Sequence, residues 1–163
     1  MLTFDDIIDS FARVCPKKIV VSDDIRSLSY SNLQYNGSNL ATFFKKYKII
    51  KGDRVALLSF NRIEFAEILY ATSKLGVIIM PINFRLSKEE IASIVKDANP
   101  KFFLYEKAFL KIINYLVKNN FLDKNMTLCI NTKNYFKLLK KTKNTYPLNL
   151  KNSKKNDNWS LMY

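Results

Sequence analysis

With 163 residues, nearly half of them apolar and spread along the chain, the sequence can bury one substantial core and predicts a single domain. Its longest apolar run, Val77 to Ile82, falls far short of the roughly 18 residues of a membrane-spanning helix, and the acidic start (Asp5, Asp6, Asp9) is unlike a signal peptide. A cytoplasmic chain without a transmembrane segment is therefore expected. The sequence has no histidine, which excludes a histidine triad, a histidine-ligated zinc and a histidine base within these residues.

The net charge of +13 invites a nucleic-acid reading. Its distribution argues against one. Between Lys124 and Asn156 lie nine lysines and no acidic residue, leaving only +4 for the rest of the chain. That stretch has no arginine and few aromatics placed to stack bases. Cys15 and Cys129 stand alone and far apart, and buried, inert thiols are expected.

In chain order, Thr3 caps a first helix to Cys15, with Asp6 three residues on and Phe4, Ile7, Ile8 and Phe11 on one face. Ile19 to Ser22 reads as a short strand. Ser29 caps a helix to about Tyr47, with Leu33, Leu40, Phe43 and Phe44 on its apolar stripe. Asn32 at the third helical position cannot return the cap as a glutamate would. Lys51-Gly52-Asp53 forms a turn into a strand from Arg54 to Phe60. Asn61 then caps a helix from Arg62 to Leu75 that ends at Gly76.

Val77 to Ile82 is too short for a helix and rich in β-branched residues, so it predicts a strand covered on both faces. Ser87 to Glu90 is a capping box opening a helix to about Asp97, and Asn99-Pro100 breaks it. A strand over Lys101–Tyr105, a helix over Phe109–Asn119, a strand over Thr127–Ile130 and a basic helix over Thr132–Lys141 follow. This alternation predicts an α/β fold: a mainly parallel sheet with helices on both faces. Val55, Leu57, Ile78, Ile79, Phe102 and Leu104 are its expected sheet core. Residues 1–141 form the α/β subdomain, 142–158 a Lys/Asn-rich linker, and 159–163 the start of a further strand.

Self-contained chemistry is scarce. There is no Walker-type loop, no GxGxxG and no metal-ligand spacing, and the only glycines are Gly37, Gly52 and Gly76. The pairs Asp23/Asp24 and Glu89/Glu90 are adjacent in sequence, so their side chains diverge and read as caps or solvent-facing groups.

Four ordered segments carry a resemblance. Leu28-Ser-Tyr-Ser-Asn-Leu33 is similar to L-T-Y-x-E-L. Ile50-Lys-Gly-Asp-Arg-Val-Ala-Leu57 and Asn61-Arg-Ile-Glu-Phe65 are similar to K-G-D-R-V-A-L and N-x-x-E-F. Lys74-Leu-Gly-Val-Ile-Ile-Met-Pro-Ile-Asn83 is similar to K-A-G-A-V-x-V-P-L-N. Asp157-Asn-Trp-Ser-Leu-Met-Tyr163 is similar to the acidic residue and short apolar strand before T-S-G-T-T-G. In this order and spacing they resemble the amino-terminal part of adenylate-forming enzymes, among them acyl-CoA synthetases, peptide-synthetase adenylation domains and beetle luciferases. Asn83-Phe-Arg-Leu86 followed by Glu89 is similar to the CoA-ligase branch, with a peptide-synthetase adenylation domain as the alternative within the family.

The resemblance implies a parent that activates a carboxylic acid with ATP and Mg²⁺ as an acyl-adenylate and then forms a CoA thioester. The groups handling ATP and Mg²⁺ in such enzymes would lie beyond Tyr163. The chain is thus expected to hold no cofactor and no metal, to carry no catalytic residue, to be inactive alone, and to pair with the remainder of its enzyme. Arg85 is the one candidate contact, to a CoA phosphate. It follows a strand where ligands gather in parallel sheets, beside the capped start of a helix. A surface arginine paired with Glu89 is the competing reading. Two other readings are a truncated, non-catalytic interaction module and a basic nucleic-acid-binding protein.

Overall fold

The computed structural model describes residues 2–140, 154 and 157–163. Its elements run α1 (Phe4–Val14), β1 (Ile19–Ser22), β2 (Ser27–Ser29), α2 (Tyr30–Lys46), β3 (Arg54–Leu58), α3 (Ile63–Leu75), β4 (Ile78–Pro81), α4 (Lys88–Ala98), β5 (Phe102–Glu106), α5 (Leu110–Lys118), β6 (Thr127–Ile130) and α6 (Lys133–Lys140). β4, β3, β5 and β6 form, in that spatial order, an all-parallel sheet. β1 and β2 form a separate antiparallel hairpin.

Alternating side chains of each strand feed two cores. Val55, Leu57, Ile79, Phe102 and Leu104 pack under α2, α3 and α6, while Ala56, Leu58, Met80, Phe103 and Tyr105 pack under α4 and α5. Burial on both faces explains why the strands read as continuous apolar runs rather than alternating ones. Ile78 departs from the expected core and is half-buried, because it heads β4 near the sheet's end.

The capping chemistry is largely as expected. Thr3 with Asp6 and Ser87 with Glu90 form complete capping boxes, whereas Ser29 receives only the Asn32 N–H. Gly76 closes α3 in the left-handed region at φ 67°. Other details differ from the sequence reading. β3 ends at Leu58 rather than Phe60, and α3 has Arg62, not Asn61, at its N-cap, with no side-chain cap bond. The carboxylate that reaches this helix start comes from Asp23 in the β1–β2 turn. It accepts the Ile25 and Arg26 N–H groups, with the Ile63 N–H adding to them, and these bonds hold Asp23 below the ordinary aspartate range.

On α1 only Ile8 of the expected apolar face is fully buried; Ile7 and Phe11 are about two-fifths exposed (41% and 43%). Phe11 instead stacks on Tyr30, with ring centroids 5.0 Å apart. Cys15 and Cys129 are both half-buried rather than enclosed.

Residues 159–161 lie parallel to β4 along its outer edge. The Ile79 N–H donates to the Trp159 carbonyl (3.0 Å), and the Leu161 N–H donates to the Ile79 carbonyl (2.9 Å). Asp157 anchors the approach through Lys51 at 2.7 Å. Most of the linker expected over 142–158 lies outside the described residues.

Candidate functional site

A parallel sheet of this order has a switch point. The chain leaves β3 for β4 by way of α3 on one face. It then crosses back over the other face, through α4, to β5 on the far side of β3. Ligands in such folds gather beyond the carboxyl ends of the strands at this place, against helix N-termini. Here the chain's own carboxylate reaches it. Glu106, at the end of β5 and 4% exposed, accepts the Phe60 N–H at 2.7 Å and faces Arg62 Nε at 3.4 Å. The turn between β3 and α3 is thereby pinned to β5, and an anion is already in place.

One strand over, a crevice of about 280 Å³ opens at the carboxyl ends of β3 and β4, between the loop 59–61 and the loop 83–86. Phe60, Phe84 and Phe109 cluster at its side, with centroids 4.9 Å apart for Phe60–Phe84 and 5.0 Å for Phe60–Phe109. The Asn83 side chain accepts the Arg85 N–H at 3.0 Å, which sets the turn before Ser87. Arg85 is exposed, and its guanidinium lies 5.5 Å from the Phe84 ring centroid. Glu89 pairs with Lys88 (3.7 Å), so the ion pair that competed for Arg85 is not made.

The helix start beside Arg85 carries the expected capping box. The Glu90 carboxylate accepts both the N–H and the hydroxyl of Ser87, and Ser87 Oγ accepts the Glu90 N–H. An anion arriving here would meet Glu89 and Glu90 in the first turn, leaving the guanidinium as the attractive group.

Gly37 packs under Tyr70, Gly52 lies in a turn and Gly76 is a helix cap, so no glycine stands in a phosphate cradle. Among the described residues no cluster of three carboxylate or thiol ligands occurs. No helix of the described residues is long and apolar enough to cross a membrane.

Sequence reasoning missed two buried polar networks. In one, Arg26 reaches from the hairpin to Glu64 (3.0 Å) and Glu67 (3.3 Å) of α3, while Asn36 and Tyr135 also donate to Glu67. In the other, Asp9 of α1 accepts hydrogen bonds from Tyr70, Lys74 and Gln34, and Ser73 donates to Asp5. Both clamp outer elements onto α3. Of these residues Glu64 and Lys74 stood in motifs, as the acidic residue of Asn61-Arg-Ile-Glu-Phe65 and the first residue of Lys74-Leu-Gly-Val.

Comparison with known proteins decides the family. A profile of the AMP-binding enzyme family matches residues 8–163. The chain belongs to the AMP-binding enzymes. Among curated members of that family, a long-chain-fatty-acid–CoA ligase of Mycobacterium tuberculosis is 37% identical over 84 residues, which is 52% of this chain and 16% of the relative. An indoleacetate–CoA ligase of Aromatoleum aromaticum is 31% identical over 107 residues, 66% of this chain and 21% of the relative. The chain thus spans about a fifth of the length of these AMP-binding relatives. Among solved structures, a fatty acyl CoA synthetase of M. tuberculosis superposes with a TM-score of 0.84 at 22% identity, covering 99% of this chain and 32% of the other. Coronafacic acid ligase of Pectobacterium brasiliense also gives 0.84, at 20% identity, with 99% and 33% covered. The fold is the amino-terminal α/β subdomain of adenylate-forming enzymes.

Proposed function

We propose that this chain is the amino-terminal part of an acid–CoA ligase, an enzyme that adenylates a carboxylic acid with ATP and Mg²⁺ and transfers the acyl group to CoA. The observation that carries the reading is the match to relatives that are themselves CoA ligases, one a fatty-acid ligase at 37% identity. The continuation Asn83-Phe-Arg-Leu86 supports the CoA branch over peptide-synthetase adenylation. In this reading residues 1–141 are the first subdomain, and 159–163 lead toward a phosphate-binding loop supplied by the remainder of the enzyme, with which the chain pairs. Its place of action would be the cytoplasm.

Within the described residues the role is scaffolding. The sheet and its clamps hold the loops at the carboxyl ends of β3 and β4, and Arg85 is the proposed contact for a CoA phosphate, acting as an exposed, charge-assisted donor. No step of adenylation is assigned to these residues, because charge on a transferring phosphoryl group needs preorganised donors and cations that they do not gather.

The test is thioester formation by the complete enzyme with ATP, Mg²⁺, CoA and a panel of fatty and aryl acids. Acid-dependent acyl-CoA supports the proposal. Amino-acid-dependent pyrophosphate exchange without any CoA thioester would replace it with the peptide-synthetase reading.

A further inference from the structure

A trough of about 830 Å³ runs between the carboxyl-terminal half of α2 and α6, away from the crevice at the strand ends. Its walls are Phe43 and Tyr47 on one side and Leu138 on the other, and its rims carry Lys46, Lys137 and Lys140. Phe43 and Lys46 lie one turn apart on α2, as do Lys137 and Lys140 on α6, so each helix offers one continuous face. The two helices are fixed to each other beneath the trough. The buried Asn39 side chain of α2 donates to the Leu139 carbonyl of α6 at 2.6 Å.

The trough is cationic, and no carboxylate stands among the described residues that line it. The lysine ion pairs among the described residues are made by Lys51, Lys74, Lys88 and Lys101, and none by the three rim lysines. The stretch 141–156 carries five more lysines and no acid, which is the wrong sign for these walls.

From this geometry we infer that the α2–α6 trough docks an acidic amphipathic helix of a partner protein. An apolar stripe would lie on Phe43, Tyr47 and Leu138, with flanking carboxylates meeting the three lysines. The lining favours a helix over a nucleic acid. Phe43 and Tyr47 stand T-shaped to Phe102, with centroids at 5.8 and 5.1 Å, and the wall facing them is the aliphatic Leu138. An aliphatic wall suits the apolar stripe of a helix and gives a base no ring to stack on.

The experiment is a selection from a phage-displayed library of helical peptides against the immobilised 163-residue chain, repeated against Lys46→Glu/Lys137→Glu/Lys140→Glu and its glutamine counterpart. All three positions are exposed, and circular dichroism checks that both variants keep the fold. The expected result is enrichment of helices with an i, i+3, i+4, i+7 apolar stripe flanked by Asp and Glu. Binding of these peptides should fall about tenfold or more in the glutamate variant and by an intermediate amount in the glutamine variant. Three results would overturn the inference. They are no enrichment, enrichment without acidic bias or indifferent to the substitutions, and displacement of the selected peptides by a single-stranded oligonucleotide that binds more tightly. The last would make the trough a nucleic-acid surface.

Discussion

The Tyr135 hydroxyl donates to Glu67 Oε2 at 2.7 Å, joining α6 to the middle of α3 across 68 positions of sequence. Both groups are inaccessible to solvent, and Arg26 and Asn36 complete the carboxylate's shell. Arg26→Ala would leave Glu64 and Glu67 buried without their cation. A loss of about 3 kcal/mol or more is expected in urea unfolding at neutral pH. A loss below 1 kcal/mol would mean that water or a rearranged side chain replaces the guanidinium.

Glu67 also sets a pH dependence. Burial raises its carboxyl above the ordinary glutamate value, opposed by the Tyr135 hydroxyl, the Arg26 charge and Asn36. With the folded pKa raised, its favourable contribution is complete below the unfolded value of 4.5 and is lost as pH rises through the folded value. Glu67→Gln removes this dependence. The stability of the parent chain minus that of the variant should therefore fall as pH rises from 4.5 toward neutrality. A flat or rising difference contradicts the assignment.

Asp9 carries the opposite sign. Burial pushes its carboxyl up, but hydrogen bonds from Lys74, Tyr70 and Gln34 together bring it below the ordinary value. A depressed carboxyl stabilises above the unfolded pKa of 3.8 and loses that contribution as pH falls through the folded value. Asp9→Asn should cost about 1–3 kcal/mol at neutral pH, with the difference shrinking below pH 3.8. Urea titrations across that range would show it.

At Gly37, two effects of opposite sign compete. Alanine in a helix gains about 1 kcal/mol over glycine. Here, however, an added Cβ would stand 2.3 Å from Cδ1 of Tyr70 and 2.9 Å from its Cγ. Tyr70 cannot swing aside freely, since its hydroxyl is tied to Asp9 at 2.6 Å. Overpacking of this kind costs about 1–3 kcal/mol, so Gly37→Ala should lower the melting temperature. Adding Tyr70→Leu should shrink the penalty that alanine brings.

Arg85 is tested in the complete enzyme. Because the side chain is exposed, Arg85→Ala should leave stability within about 0.5 kcal/mol. A charge-assisted hydrogen bond is worth roughly 1.5–3 kcal/mol, which predicts a KM for CoA about tenfold higher or more with acyl-adenylate formation nearly intact. Equal loss of both steps, or no change in either, removes Arg85 from the CoA site.

The fold was legible where local chemistry decides it. Thr3, Ser87 and Gly76 fix helix ends within one turn of themselves, and β-branched runs such as Val77–Ile82 cannot settle as exposed helices. β2 escaped because three residues leave no periodicity to detect. Asn61 looked like the cap of α3, but the carboxylate at that helix start is Asp23 of the β1–β2 turn, brought there by the fold from some forty positions earlier. Glu106, Glu67 and Asp9 have no local signature at all. Their roles arise only when the sheet and helices bring partners 25 to 68 positions apart into contact. Of the candidate site, Arg85 and the Ser87 box were visible in sequence. The Glu106 bond at the switch point became visible only in the folded chain.

The two hydrogen bonds that join Ile79 to Trp159 and Leu161 impose an order of assembly. The sheet from β3 to β6 is laid down from neighbouring stretches of chain, each strand returning after a single helix. The strip along β4 must instead wait for residues made near the far end of this sequence, and contacts so distant form late. Until they arrive, β4 presents a bare row of amide and carbonyl groups, a template on which another nascent copy could add a strand. A ribosome paused within the lysine-rich stretch would prolong that interval, so the yield of soluble protein should depend on how quickly residues 124–156 are translated.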